Sequence, residues 1–217
     1  MRYKGAIFDL DGTLLDTLKD IALSANLVLE HFGKSPLSLD NYRYLVGEGV
    51  RRLMERAIKD SGHLGFEAYN LFKEIYASHW DATTKPYDGI SKMLLELQDS
   101  GLRLGVLSNK PDDFVRDCIK RYFPQISFLH VAGQKENIHP KPHPDGAFIA
   151  LEALHVNANE ACFIGDTKID MQTAKSANIE ALGVSWGFRD AKELYEYGAI
   201  EVFENANSLK AYVLGQD

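Results

Sequence analysis

The fold class this sequence predicts is a doubly wound, Rossmann-like parallel α/β sheet carrying an inserted all-helical cap domain. Three observations carry that expectation. Short apolar runs end abruptly in aspartate or in Ser-Asn; from residue 86 onward strand-like and helix-like segments alternate; and residues 16–85 hold helical spacing alone. Strands buried on both faces read as continuous apolar runs, and their alternation with helices specifies a sheet covered on both sides.

The first strand is Ala6-Ile7-Phe8, which stops at Asp9 and Asp11 before Gly12 turns the chain. Thr17 to Phe32 then repeats apolar residues at Leu18, Ile21, Ala25, Val28 and Phe32, the spacing of a helix, with Gly33 as its stop. Val50–Lys59 and Phe66–Trp80 read as further helices, punctuated by Gly47, Gly49, Gly62 and Gly65. A parallel crossover needs a single helix, so residues 16–85 are expected to form a separate helical domain inserted after the first strand. The α/β core is then expected over 1–15 and 86–217. In that second part helices are expected at Ile90–Gln98, Asp112–Phe123, Asp145–Leu154, Ile169–Asn178, Ala191–Tyr197 and Leu209–Leu214. Strands alternate with them at Leu102–Leu107, Phe128–Ala132, Ala161–Ile164, Ala181–Ser185 and Ile200–Phe203.

Composition narrows the function. The 217 residues are 45% hydrophobic and 25% charged, ordinary for a soluble globular protein. A net charge of −7 argues against a general nucleic-acid or anionic-membrane binder, though not against a small anionic substrate in one cationic cleft. Cys118 and Cys162 lack CxxC spacing and are expected to be buried free thiols, which fits a reducing cytoplasm. Met1-Arg2-Tyr3-Lys4 leads straight into a strand without a signal-peptide core, and no apolar run reaches membrane-spanning length. The expectation is a soluble cytoplasmic protein, monomer or homodimer, with no nucleic-acid or membrane partner.

Four stretches carry chemistry. Asp9 and Asp11 stand one residue apart at a strand end, where open α/β sheets bind ligands. Neighbouring carboxylates repel unless a cation or a shared proton compensates them, so the pair implies Mg²⁺ or acid/base work; an Asp-Gly turn is the plainer alternative. Ser108-Asn109-Lys110 ends a later strand with a hydroxyl and amides suited to phosphate oxygens, or to a simple turn. Lys141 lies in the proline-fixed loop Lys141-Pro142-His143-Pro144-Asp145, able to aim an ammonium or to remain an exposed loop lysine. The His139–His143 pair suggests zinc, but without a cysteine or third histidine nearby the reading of ordinary loop histidines outweighs it. Finally Cys162-Phe163-Ile164 runs into Gly165-Asp166, with Asp170 one helical turn on. Helix capping explains one acid there, not acids at two separate strand ends. Hard oxygen ligands, phosphate donors and a lysine together describe a phosphoryl-transfer site.

Asp9-Leu10-Asp11-Gly12-Thr13, Ser108-Asn109, Lys141 and Gly165-Asp166 with Asp170 resemble, in order, the four motifs of the haloacid-dehalogenase-like phosphohydrolases. The strings Leu14-Leu15-Asp16-Thr17, Val46-Gly47-Glu48-Gly49 and Gly183-Val184-Ser185-Trp186-Gly187-Phe188-Arg189 resemble phosphoglycolate phosphatases in particular. The resemblance implies a Mg²⁺-dependent phosphatase acting on a small phosphorylated metabolite, most directly 2-phosphoglycolate. It implies Asp9 as nucleophile, Asp11 as general acid and then base, and Mg²⁺ on Asp9, the Asp11 carbonyl and Asp166, supported by Asp170. Gly12, Thr13, Ser108, Asn109 and Lys141 would hold the phosphoryl group. Within the insert, Gly47 and Gly49 shape a loop, and Arg51 or Arg52 is the candidate partner of a substrate carboxylate, although two arginines solvated on a helix face is the reading that outweighs it.

Other readings stay open at this point. A sugar phosphomutase of the same superfamily would carry a histidine early in the first insert helix, where this chain has Ile21. A pyrophosphatase or nucleotidase would share the four motifs. A non-enzymatic phosphoreceiver domain would lack the inserted helices and the Asp-x-Asp-Gly-Thr arrangement.

Overall fold

The computed structural model describes residues 1–216. Its core is a six-stranded sheet in the order β5 (Phe128–Gln134), β4 (Arg103–Pro111), β1 (Gly5–Phe8), β6 (Ala161–Gly165), β7 (Glu180–Val184), β8 (Glu201–Phe203), every neighbouring pair parallel. At the centre β1 lies between β4 and β6. Beyond them sit β5 on one side and β7 and β8 on the other.

Alternation along the strands builds two cores. Ala6 and Phe8 of β1 and Cys162 and Ile164 of β6 enter one cluster, with helices α5 (Ile90–Asp99), α6 (Asp112–Tyr122) and α10 (Ala206–Leu214). Ile7, Ala161 and Phe163 point the other way, against α7 (Asp145–Leu154), α8 (Lys168–Ser176) and α9 (Ala191–Glu196). Because both faces are covered, β1 and β6 contain no exposed position at all, which is why their sequences are unbroken apolar runs.

After β1 the chain leaves through β2 (Leu15–Asp16) and returns through β3 (Lys85–Pro86), a two-residue antiparallel ribbon pairing Leu15 with Pro86 and Asp16 with Lys85. Between them lie α1 (Leu18–His31), α2 (Leu39–Leu45), α3 (Val50–Ile58) and α4 (His63–Tyr76), which bury a third cluster that Phe188 and Phe114 of the core also join. A strand pair therefore marks the boundary of the insert where the sequence suggests none: two residues are too few to show a period.

Helix α2 also lies outside the expectation. Its seven residues bury only Tyr42, so no apolar stripe announces it. A capping box between Ser38 and Asn41 starts it, and Tyr42 donates to Asn26 Oδ1 at 2.8 Å. Helix α4 runs from His63 to Tyr76 rather than Phe66 to Trp80. Trp80 is apolar for another reason: its ring meets Tyr122 of the core edge-on at 6.2 Å. Strand β4 continues to Pro111 instead of ending at Leu107, so Ser108, Asn109 and Lys110 stay extended at the sheet's edge of the site.

Among the described residues no helix is long and apolar enough to cross a membrane. Cys118 and Cys162 are both free and buried.

Candidate active site

The sheet reverses its winding at β1, so a crevice opens beyond the C-terminal ends of β1, β4 and β6. Each of those ends delivers acids or amides into it. Asp9 follows β1 and its N–H donates to Ile164 O at 2.9 Å, locking the loop to β6. Gly12 turns the chain at φ 89°, and a Cβ there would lie 2.2 Å from Asp166 Oδ2, so only glycine fits.

Asp9, Asp166 and Asp170 are buried, with carboxylate oxygens within 4.8 Å of one another. One cation answers them: Lys141 Nζ stands 2.9 Å from Asp9 Oδ1 and 2.6 Å from Asp170 Oδ1. Asp170 spends its other oxygen on the start of α8, accepting from the Thr167 N–H at 3.0 Å and the Thr167 hydroxyl at 2.7 Å. Asp166 accepts from the Thr13 hydroxyl at 3.0 Å and the Phe188 N–H at 2.8 Å. Three buried carboxylates against one ammonium leave a surplus of negative charge. Burial, then the neighbouring acids, push Asp9 up to about 7 despite the opposing pull of Lys141. Burial and the charges of Asp170 and Asp9 hold Asp166 well above the ordinary carboxylate range. Burial alone would lower Lys141, but Asp170 and Asp9 keep it above the usual lysine range. Hard oxygen donors with unneutralised charge suit a divalent cation such as Mg²⁺, and the donor set fits the metal that the four motifs imply.

Asp11 is engaged by a different lysine. Lys110 Nζ lies 3.0 and 3.3 Å from the two Asp11 oxygens and 2.7 Å from the Tyr76 hydroxyl of α4. Asn109 brackets two loops: its Nδ2 donates to Gly47 O at 3.0 Å and to Lys141 O at 2.9 Å, while its Oδ1 accepts from the Lys141 N–H at 2.8 Å.

A cavity opens over Asp9 and Asp11, floored by Ser108, Asn109 and Lys110 and roofed by the insert through Ile21, Val46, Val50, Leu53, Phe72 and Tyr76. Gly47 and Gly49 line it as well. Arg51 and Arg52 do not: both pair with Glu55, at 3.1 and 3.0 Å, with side chains about two-thirds exposed. Gly12 and Thr13 also differ from the expectation of phosphate donors. Their N–H groups bond Leu15 O and Leu10 O, and the Thr13 hydroxyl serves Asp166, so both brace the loop after β1 rather than offering free donors. His139 and His143 each turn Nδ1 toward Asp145, at 2.7 and 3.0 Å, on an exposed loop.

The model of the haloacid dehalogenase-like hydrolases matches residues 6–184, spanning every element just described from β1 to β7. The chain belongs to that family. The phosphoglycolate phosphatase of Colwellia psychrerythraea is 31% identical over 211 residues, covering 94% of this chain and 93% of that protein. That of Psychrobacter arcticus is 31% identical over 217 residues, covering 96% and 94%. A crystal structure from Lactobacillus delbrueckii subsp. bulgaricus superposes with a TM-score of 0.93 at 31% identity, covering 99% of this chain and 100% of that one. As a haloacid dehalogenase-like hydrolase the protein is an enzyme, and its curated relatives are phosphatases.

Three groups in this hydrolase's site carry no separate role in the sequence reading. Lys110 follows Ser108-Asn109 directly, but whether a lysine at a strand end turns inward depends on the strand continuing, which it does. Tyr76 comes from an insert helix whose register against the core is a tertiary fact. Phe188 acts through its backbone, so no side chain marks it.

Proposed function

We propose that the protein is a Mg²⁺-dependent phosphatase of small phosphomonoesters that works through an aspartyl-phosphate on Asp9, with 2-phosphoglycolate as the substrate to test first. The observation that carries this is the Asp9–Asp166–Asp170 cluster with Lys141 in contact with two of its members. The substrate is taken from the curated relatives, each aligned over nearly its whole length.

Asp9 attacks phosphorus as the bond to the alcohol breaks, and a proton from Asp11 passes to the departing oxygen. Water then attacks the aspartyl-phosphate, its proton returns to Asp11, and the Asp9 carboxylate is released. Lys141, beside Asp9, neutralises charge on the transferring group, with Ser108 and the Asn109 amide orienting its oxygens. Bound Mg²⁺, held by Asp9, Asp166 and the Asp11 carbonyl with Asp170 in support, would lower the repulsion between carboxylate and phosphate dianion. The helices between β2 and β3 act as a cap that keeps bulk water from the cavity. Ile21 lines that cavity with an apolar side chain, which favours phosphatase over phosphomutase because no proton-carrying group stands there.

The test is a panel of 2-phosphoglycolate, pyrophosphate, nucleoside monophosphates and β-glucose 1-phosphate, with and without Mg²⁺. Mg²⁺-dependent phosphate release that is fastest from 2-phosphoglycolate is the expected result. Conversion of β-glucose 1-phosphate to the 6-phosphate, without phosphate release, would overturn the proposal.

A further inference from the structure

We propose that Lys110 is a positioning residue that fixes Asp11 for proton delivery to the departing alcohol, and that Tyr76 makes this grip depend on the cap. The inference rests on the phosphatase reading above. The Lys110 ammonium has three N–H groups and three acceptors at hydrogen-bond distance: both Asp11 oxygens and the Tyr76 hydroxyl. With side chains 2% and 12% exposed, Lys110 and Asp11 form a pair that solvent screens little. Lys141 answers Asp9 and Asp170, whereas Lys110 answers Asp11, so the two lysines serve different acids of the site.

The geometry explains why such a grip is useful. Asp11 sits in the loop after β1, and a carboxylate that first gives and then takes a proton must keep one orientation through both steps. Contacts from one ammonium to both of its oxygens restrict rotation of the carboxylate, and the protonated form that gives its proton keeps the contact to its other oxygen. Tyr76 is itself held by packing: it stacks on Phe72 of α4 at 5.3 Å and meets Phe114 of α6 edge-on at 5.0 Å. Its hydroxyl therefore joins the cap, the core strand β4 and the Asp11 loop through a single lysine.

The experiment compares kcat/KM for Lys110→Met, Lys110→Arg and Tyr76→Phe on three esters in Mg²⁺. They are 2-phosphoglycolate, 2-glycerophosphate (an alkyl ester without a carboxylate) and p-nitrophenyl phosphate, whose aryl oxide leaves without a proton. This ratio reports steps up to alcohol release, where only alkyl esters need Asp11 as acid. Lys110→Met is expected to lower it about 100-fold on both alkyl esters, the scale of general acid catalysis, and less than about 5-fold on the aryl ester. Tyr76→Phe should show the same selectivity at about 3- to 10-fold, the scale of one hydrogen bond. In an Asp11→Asn background, Lys110→Met should add less than about 3-fold, since residues acting as a unit are not additive. If Lys110→Met does not fold, Lys110→Arg and Tyr76→Phe carry the same comparison. Equal losses on all three esters, a loss confined to 2-phosphoglycolate, or full additivity with Asp11→Asn would each overturn the proposal. A wild-type protein inactive on every ester would instead overturn the phosphatase reading itself.

Discussion

The Lys141 ammonium stands 2.9 Å from the Asp9 carboxylate, so the proposed nucleophile and the proposed phosphate ligand share one contact. Lys141 is also the one cation that pairs with the buried acid cluster among the described residues. Removing one partner of a buried pair costs about 3–5 kcal/mol, because the other charge stays behind. Lys141→Met should therefore melt well below wild type without metal, and Mg²⁺ should recover part of the loss. The same variant should raise KM for phosphoesters. Thermal melting with and without Mg²⁺ checks the first claim and substrate titration the second.

Asp9→Asn separates chemistry from stability. The amide is nearly isosteric but cannot attack phosphorus, and turnover is expected to fall by at least about a thousandfold, on the scale of lost nucleophiles. Burial and two neighbouring acids disfavour the Asp9 anion, so the variant should melt no lower than wild type in metal-free buffer. A variant that keeps a tenth of the wild-type rate would remove Asp9 from its role.

Asp166 tests the metal. A ligand that binds only the folded state at about 100 times its Kd adds about 2.7 kcal/mol, which raises the melting point of a chain this size by roughly 5–10 °C. Wild type should show such a rise with saturating Mg²⁺. Asp166→Asn should show little of it, while melting at or above wild type in EDTA, because it relieves the repulsion from Asp170 and Asp9. Differential scanning calorimetry in the two buffers decides the point.

What the sequence made legible follows from which signals are local. The acids at residues 9, 11, 166 and 170 announce themselves because buried strands cannot hide charge: the change from apolar run to aspartate marks the strand end and the site together. The double core was legible for the same reason. Helix α2 was not, because capping by Ser38 and Asn41 rather than an apolar stripe sustains it. Lys110 and Tyr76 were not, because their meeting depends on how the insert sits over β4, which no spacing along the chain encodes.

Arg51 and Arg52 illustrate the limit from the other side. Both follow a glycine loop that does line the cavity, yet on α3 they turn to Glu55 and solvent. Both guanidinium groups are largely exposed on the one buried Glu55, so the loss of either leaves that carboxylate paired. Arg51→Ala and Arg52→Ala are accordingly expected to change kcat/KM on 2-phosphoglycolate less than about 3-fold, the scale of about one-half kcal/mol. A loss above about tenfold on that ester, with p-nitrophenyl phosphate unaffected, would show that one arginine swings in to meet the carboxylate.

Asp20 is where the insert is fastened. The buried carboxylate, in the first turn of α1, accepts the Thr83 N–H at 2.9 Å and hydroxyl at 2.6 Å, and the Thr84 N–H and hydroxyl both at 2.8 Å. The first turn of α1 and the segment that leads back into β3 are thus tied, Thr84 standing one residue before that strand. Burial works against the anion, but the donors of Thr83 and Thr84 outweigh it and hold the Asp20 carboxyl below its ordinary range. Its amide counterpart has one acceptor oxygen and would turn an NH₂ group toward donors. Asp20→Asn is therefore expected to cost about 2–3 kcal/mol at neutral pH, the scale of hydrogen bonds to a charged group. The sign with pH follows from the depressed value. The contribution is fully present above the unfolded aspartate pKa, about 3.9, and is lost as pH falls through the lower folded value. Urea denaturation of wild type and Asp20→Asn should give a constant stability difference from pH 7 to about 5. That gap should narrow progressively below about pH 4, where a gap that stayed constant would mean that Asp20 fastens the insert without its charge.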